Sequence, residues 1–474
     1  MHKKIKHQAA IIIGGGIVGL LAARTLCGHF KEIIIIEKDK YPSQDGPRNG
    51  TPQSNHIHVL LIKGKEILLR LFPDLERNLV AKGAHIVNLT NDVDYYVGTG
   101  YSIKFESNLT TIACTRQLLE YEIRNEILEF PNVNVRENTR ATGLVVAKDE
   151  KTERSICKGV TVISTDTNSE ETIMGDLVVD TSGRESKTAQ WLDQLGYGKP
   201  KETVVNSYIG YSTCRFKPTS AQISQQPAAP DDDDDNDKPI IKPIIILTKP
   251  PLNPRMGIIY PVEGSAWLIG ILGIGKNYPP TDKQGFLQYT KKLETLDIYN
   301  AIKDFELSGP IYGYRTPGSR QYHYEKMKTW PENFVTYGDS VSSFNPFYGQ
   351  GITVACIEAV TLDKVLREHK KRNRDLWGFS TTFQKKVSKI NTLPWLLGTS
   401  EDFRWPSTEG IRPHIFTQYM QKYSHRVLLL TPKSKIAAKS FFEVMHLLRS
   451  PLILFHPLIS FHILIETLKK TITK

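Results

Sequence analysis

Gly14, Gly16 and Gly19 stand in the spacing Gly-x-Gly-x-x-Gly directly after an apolar run, Ala9 to Ile13. Each glycine has a mechanical reason. Gly14 permits a tight turn, Gly16 lets a pyrophosphate approach bare backbone, and Gly19 lets a helix pack closely on the preceding strand. Ile17 and Val18 open that helix, whose free amides and positive dipole end favour phosphate. Glu37 closes the next apolar run eighteen residues beyond Gly19, just before Lys38, where a carboxylate can accept both hydroxyls of an adenosine ribose. A glycine triplet alone is a weak signal; with strand, helix and acid at these intervals it predicts a dinucleotide site.

A second set lies late in the chain. Gly338-Asp339 follows the apolar run Phe334 to Tyr337, and Pro346, Gly349, Gly351 and Ile352 lead into a helix expected over 352–367. An Asp at a strand end can bond a ribityl hydroxyl. The turn beyond it brings bare backbone and a helix N-terminus towards the region where a reduced flavin gathers negative charge. The two sets together point to FAD, held noncovalently because no residue is required as an attachment point.

These residues need a large scaffold. The 474 residues predict two or three structural units, and 40% hydrophobic and 23% charged residues with a mean hydropathy of -0.31 describe a globular chain rather than a disordered or membrane-spanning one. The formal charge is +11 even though six aspartates crowd positions 231–237, so the body is strongly basic. No module with aromatic stacking positions accompanies that charge, and nucleic acid is not expected as a partner. Cys27, Cys114, Cys157, Cys214 and Cys356 are scattered, without a CxxC pair, which fits a reducing, cytoplasmic setting.

Periodicity predicts a strand at Gln8 to Ile13, a helix at Ile17 to Cys27 and a strand at Ile33 to Ile36, a βαβ opening. Further helices are expected at Val59 to Leu71 and Arg116 to Glu129. Residues 84–113 read as strand-rich, and Leu144 to Ala147, Gly159 to Ser164 and Asp176 to Asp180 as a meander and return strand. Ile240 to Leu247, Met256 to Pro261 and Trp267 to Leu272 predict a second, antiparallel sheet. The fold class is α/β with an α+β insert: a Rossmann-like FAD-binding domain (1–75, 110–195 and 325–370), an antiparallel-sheet substrate domain (76–109 and 196–324, with an acidic loop at 227–239) and a helical C-terminal region (371–474).

Here the chain resembles the FAD-dependent monooxygenases of the para-hydroxybenzoate hydroxylase type. Gly14, Gly16, Gly19 and Glu37 match the first fingerprint of that family, and Gly338-Asp339 with Pro346, Gly349 and Gly351 match its ribityl fingerprint. The segment Arg48-Asn49-Gly50-Thr51-Pro52-Gln53 followed by His56 and His58, the segment Asp176 to Arg184, and Trp330-Pro331 look locally like polyether epoxidases of the monensin type. The resemblance implies that Arg48, Gly50 and Gln53 lie along the flavin and that Arg116 contacts FAD; the alternative for Arg116 is an ordinary helix-start arginine with a surface partner. It also implies oxygen transfer from a flavin hydroperoxide to a lipophilic polyene, polyketide or isoprenoid-like substrate, by epoxidation or hydroxylation in secondary metabolism. The family carries an Asp-Gly pair associated with FAD and NAD(P)H binding, where this chain has Ser182-Gly183 with Asp180 two residues earlier. NAD(P)H is the expected reductant, direct or through a separate reductase, and this departure speaks against the direct route.

Other chemistries share the scaffold. A prenyl or alkene reductase would add hydrogen instead of oxygen, and a noncatalytic prenyl-binding chaperone would keep the first fingerprint without a reason to keep Asp339. A halogenase would carry Trp-x-Trp-x-Ile-Pro, where this chain has only Trp267-Leu268-Ile269. His56 and His58 alternate, so on a strand they would share a face; a hydrogen-bonded pair is the expected role rather than a metal site, since no third ligand follows from spacing. The apolar stretch Leu447 to Leu468, broken by Arg449, His456, Pro457 and His462, is expected to cap the core or to make weak peripheral membrane contact.

Overall fold

The computed structural model describes residues 7–44, 46–48, 50–148, 153–217, 242–373 and 376–472. The acidic loop 227–239 and Asn49 fall outside them.

Five parallel strands form the first sheet, in the order Phe334–Thr336, Leu177–Asp180, His7–Ile13, Phe30–Ile36 and Val133–Arg136. Ile11, Ile12, Ile33, Ile35, Val178 and Val179 are buried on both faces, as a covered parallel sheet requires. Helix Ile17–Leu26 follows the first strand, and the long helix Gly351–Asn373 packs against it. The register brings Ile13, Asp180 and Thr336 level at the carboxyl ends of their strands, beside the Gly14 turn and just before Gly338. That edge is where open α/β sheets take ligands.

A six-stranded sheet stands beside it: Tyr312–Arg315, Gly210–Phe216, Ala266–Gly273, Arg255–Val262, Ile244–Ile246 and Asp94–Tyr96. It is antiparallel except at its last edge, where Asp94–Tyr96 pairs in parallel with Ile244–Ile246. A meander of Thr139–Lys148, Ser155–Ser164 and Glu170–Met174 makes a third sheet. The C-terminal part is helical, with helices Phe379–Asp402, Ile415–Leu430, Lys435–Met445 and Pro457–Ile472. Val427, Ala437, Phe442, Ile459 and Ile463 share one core with Tyr260 and Ile245 of the large sheet.

One expected helix starts late, at Ile62 rather than Val59. Val59, Leu60 and Leu61 fit an apolar helical period, but this stretch is extended, and the Thr111 hydroxyl donates to the Leu60 carbonyl (2.5 Å). Val59 and Leu61 line the cavity instead of opening a helical turn.

Candidate functional site: a cleft joining the two glycine turns

The Gly14 turn is locked from three sides. Gly14 has φ +97°, and a Cβ there would meet the Ser182 backbone at 2.9 Å. A Cβ on Gly19 would fall 1.8 Å from the Gly14 carbonyl oxygen, so that glycine is needed for strand-to-helix packing. Gly16 differs: a Cβ there meets nothing within 4 Å and points into open space. The turn is closed by Tyr41, whose hydroxyl donates to the Gly15 carbonyl (2.7 Å), and by Glu37, which accepts from the Gly15 amide (2.8 Å).

Glu37 belongs to a buried ion network. Arg48 reaches Glu37 at 2.7 Å and Glu120 at 2.6 Å, and Glu120 in turn meets Arg116 at 3.3 Å. Burial opposes the Arg48 charge, but Glu37 and Glu120 outweigh it and raise its pKa. Arg48 is thus held at the Glu37 end of the cleft, stacked 4.8 Å from the Tyr41 ring, while Gln53 and Arg116 line the cavity further along.

The late turn is built as its spacing predicts, with Gly338 at φ +68°, a 3-10 turn at Pro346–Tyr348 and Gly349 at φ +64° before the helix begins at Gly351. Asp339 lines the cavity, where burial raises its pKa and Arg184, Arg116 and Arg320 pull the other way. Two residues that periodicity did not single out hold this turn. Glu358, fully buried on the long helix, accepts from the Gly338 amide (2.9 Å), and burial pushes its pKa up to about 8. Asp402, at the end of helix Phe379–Asp402, accepts from Asn345 Nδ2 (2.8 Å) and from the Tyr348 hydroxyl (3.0 Å). The only trace of Glu358 in the sequence is an acid interrupting the apolar run Val354 to Val360. Asp402 leaves none.

Burial raises the Asp402 pKa from an ordinary 3.8 to about 7. The folded state therefore keeps a proton that the unfolded chain has released, and folding loses about 1.4 kcal/mol for each pH unit between the two values. Asp402→Asn keeps an acceptor for Asn345 and Tyr348 but cannot ionise. It is expected to gain stability over the parent by a few kcal/mol as pH rises from 4 to 7, measured by urea unfolding. Parallel pH profiles for the two proteins would show that Asp402 ionises at its ordinary pKa.

Asp180 does not replace the family's Asp in the cleft. It is fully buried, and its oxygens accept from the Ser182 amide and hydroxyl, from Ser186 Oγ and from Thr188 Oγ1. Ser182 and Gly183 line the cavity instead. His56 and His58 lie in an extended segment outside any strand. His56 Nδ1 is 3.0 Å from Thr213 Oγ1, and His58 Nδ1 donates to the His56 carbonyl (2.9 Å), which leaves His58 Nε2 as an acceptor. Burial lowers the pKa of His56 to about 4 and that of His58 to about 3, so both rings are neutral near pH 7. The His56 ring meets Tyr211 edge-on at 4.5 Å, with Tyr314 beside it.

One cavity of about 1250 Å³ is lined by both glycine turns and by Arg48, Arg116, His56, His58, Tyr211 and Tyr314. Gly14, Gly16 and Glu37 form one end, Asp339 and the turn from Pro346 to Ile352 the middle, and the large sheet with the C-terminal helices the far wall. Val93, Leu247, Met256, Ile258, Leu428 and Phe442 make that wall apolar.

No protein-family model matches the chain. Protein Rv3254 of Mycobacterium tuberculosis is 27% identical over 405 residues, which cover 83% of this chain and 80% of that protein. Among solved structures, a flavoprotein/dehydrogenase from Cytophaga hutchinsonii aligns with a TM-score of 0.62 over 98% of this chain and 99% of its own. The flavin-dependent brominase Bmp2 aligns with 0.61 over 93% and 97%, and p-nitrophenol 4-monooxygenase PnpA from Pseudomonas putida with 0.60 over 94% and 98%. All three are 14% identical to this chain. Likeness at that identity concerns architecture, and the architecture is a mixed α/β fold shared with FAD-dependent monooxygenases and halogenases.

Proposed function

We propose that the protein is an FAD-dependent monooxygenase that transfers one oxygen atom to a lipophilic polyene, polyketide or isoprenoid-like substrate, by epoxidation or hydroxylation. The observation that carries the reading is the single cavity joining both glycine turns to an apolar wall. Its volume of about 1250 Å³ exceeds the roughly 300–1,000 Å³ of a site for one small ligand, and so suits cofactor and substrate together.

The residues present fit FAD. The open space beside Gly16 takes a pyrophosphate, with the amides at Ile17 and Val18 as donors. Glu37 and the adjoining Lys38 hold the adenosine ribose, and Asp339 a ribityl hydroxyl. The buried side-chain amide of Gln350, with neither polar atom partnered among the described residues, lines the flavin-facing turn beside Gly349, Gly351 and Ile352. Bound there, the cofactor supplies the oxygen activation. The chain's own work is to orient the substrate, exclude water and offer hydrogen bonds. Neutral His56 with Tyr211 and Tyr314 can bond a hydroxyl or carbonyl of the substrate while the apolar wall takes its hydrocarbon.

The reading divides the molecule into the three regions drawn from the sequence, places it in a reducing compartment, and takes NAD(P)H, directly or through a reductase, as electron source. Asp180 is committed inside the protein, which favours a separate reductase. The purified protein is expected to be yellow and to release FAD on acid treatment, and Asp339→Ala to retain about tenfold less flavin, a loss of about 1.4 kcal/mol. Turnover under labelled dioxygen should place one labelled atom in the product. Alkene saturation without oxygen incorporation would assign the site to a reductase, and a colourless protein without extractable flavin to a prenyl-binding chaperone.

A further inference from the structure

We infer that the C-terminal helices dock the protein on an anionic membrane surface with the mouth of the cavity turned towards the lipid. The inference rests on the cavity being the lipophilic-substrate site proposed above.

Leu252, Leu396 and Phe416 line the cavity yet stay exposed, Leu252 at 77% and Phe416 at 67%. Apolar side chains therefore rim the entrance. The rim continues outward along helix Ile415–Leu430, where Ile415 and Tyr419 are exposed, and one turn beyond Tyr419 the Tyr423 ring stacks on Phe455 at 4.4 Å. Phe455 belongs to a short 3-10 segment, Pro451–Phe455, that presents Pro451 and Leu454 to the cavity and Leu452 and Phe455 to solvent. Helix Pro457–Ile472 follows at once and is tied to Tyr423 through Ser460 (3.0 Å). It buries Ile459 and Ile463, while Leu458, Phe461, Leu464 and Leu468 emerge on its opposite face. A soluble monomer rarely exposes so many large apolar side chains together, and such patches mark contact surfaces.

Charge selects the partner. Between residues 410 and 468 seven Lys and Arg stand against two Glu. Arg412, Lys422, Arg426 and Arg449 are exposed beside the apolar strip, and the Lys422 ammonium sits 5.7 Å from the Tyr419 ring. Apolar side chains flanked by cations match the boundary of a bilayer containing acidic lipid, where each cation contributes about 1 kcal/mol. Among the described residues no helix is long and apolar enough to cross a membrane, so the contact is peripheral. A lipophilic substrate could then pass from bilayer to cavity without crossing water.

The experiment is vesicle flotation of the full chain. Binding is expected to phosphatidylcholine vesicles containing phosphatidylserine at low salt, weaker binding to phosphatidylcholine alone, and release at high salt. Phe461→Glu with Leu464→Glu should lower partitioning at least about tenfold, and Lys422→Glu with Arg426→Glu should abolish the preference for acidic lipid. Both pairs should keep the parent's flavin content, so a failure of the flavin reading shows as missing colour and not as missing flotation. Absence of binding to acidic vesicles at low salt would overturn the inference. So would a dimer in sedimentation velocity that Phe461→Glu with Leu464→Glu dissociates, because the face would then belong to a second copy.

Discussion

Gly16→Leu is expected to yield a folded, colourless protein, whereas Gly19→Ala is expected to fail in folding. The two glycines belong to one motif but face different neighbours. At Gly19 even a methyl group lands 1.8 Å from the Gly14 carbonyl oxygen, so strand and helix would have to separate inside the main core. Overpacking of this kind costs about 1–3 kcal/mol where side chains can adapt, and more here because the obstacle is backbone. At Gly16 the added side chain enters space that no protein atom occupies, and φ of -76° is ordinary for any residue. The fold is spared, and what is lost is the volume a pyrophosphate needs, which should reduce flavin retention at least about a hundredfold, or about 2.7 kcal/mol. Circular dichroism and extracted flavin, measured on both variants, separate the outcomes. A Gly16→Leu protein that stays yellow would remove the turn from the cofactor site.

The same glycines show what could be read from the chain and what could not. The βαβ opening, the helix from Arg116 and the turn from Pro346 were legible because their signals are local: spacing, apolar period and residues that tolerate a tight turn. The partners of those turns were not. Glu120 meets Arg48 across 72 residues, and Asp402 meets Asn345 across 57, and no periodic signal connects such positions. The stretch from Val59 to Leu61 shows the converse failure, where a sound helical period yields to a tertiary contact with Thr111. Asp94–Tyr96 illustrates a third limit. Its residues suit a strand, but joining the large sheet in parallel depends on where the chain crosses over. Exposure is equally invisible: the spacing of Leu458, Phe461, Leu464 and Leu468 fits a buried helix face as well as a free one.

Arg48→Ala tests the least legible part of the site. Arg48 and both of its acids are about 5% exposed at the side chain, and the guanidinium also contacts the Gly15 carbonyl at 3.4 Å. Removing it leaves Glu37 and Glu120 buried without their shared partner, with Arg116 still paired to the far side of Glu120. Breaking a buried pair by deleting one partner costs about 3–5 kcal/mol, because the remaining charge has lost its compensation. That loss is expected in urea unfolding at neutral pH. It should shrink in acid, since protonating the stranded carboxylates removes the uncompensated charge. Arg48→Lys should fall between parent and Ala, because an ammonium cannot reach both acids in the forked geometry of a guanidinium. Arg48→Met with Glu120→Gln should cost less than the sum of the two single changes, as expected of residues that share one network. A loss below about 1 kcal/mol for Arg48→Ala would place the pair with ordinary surface bridges. The network would then be an accessory of the turn, and Glu37 would be free to meet a ribose without it.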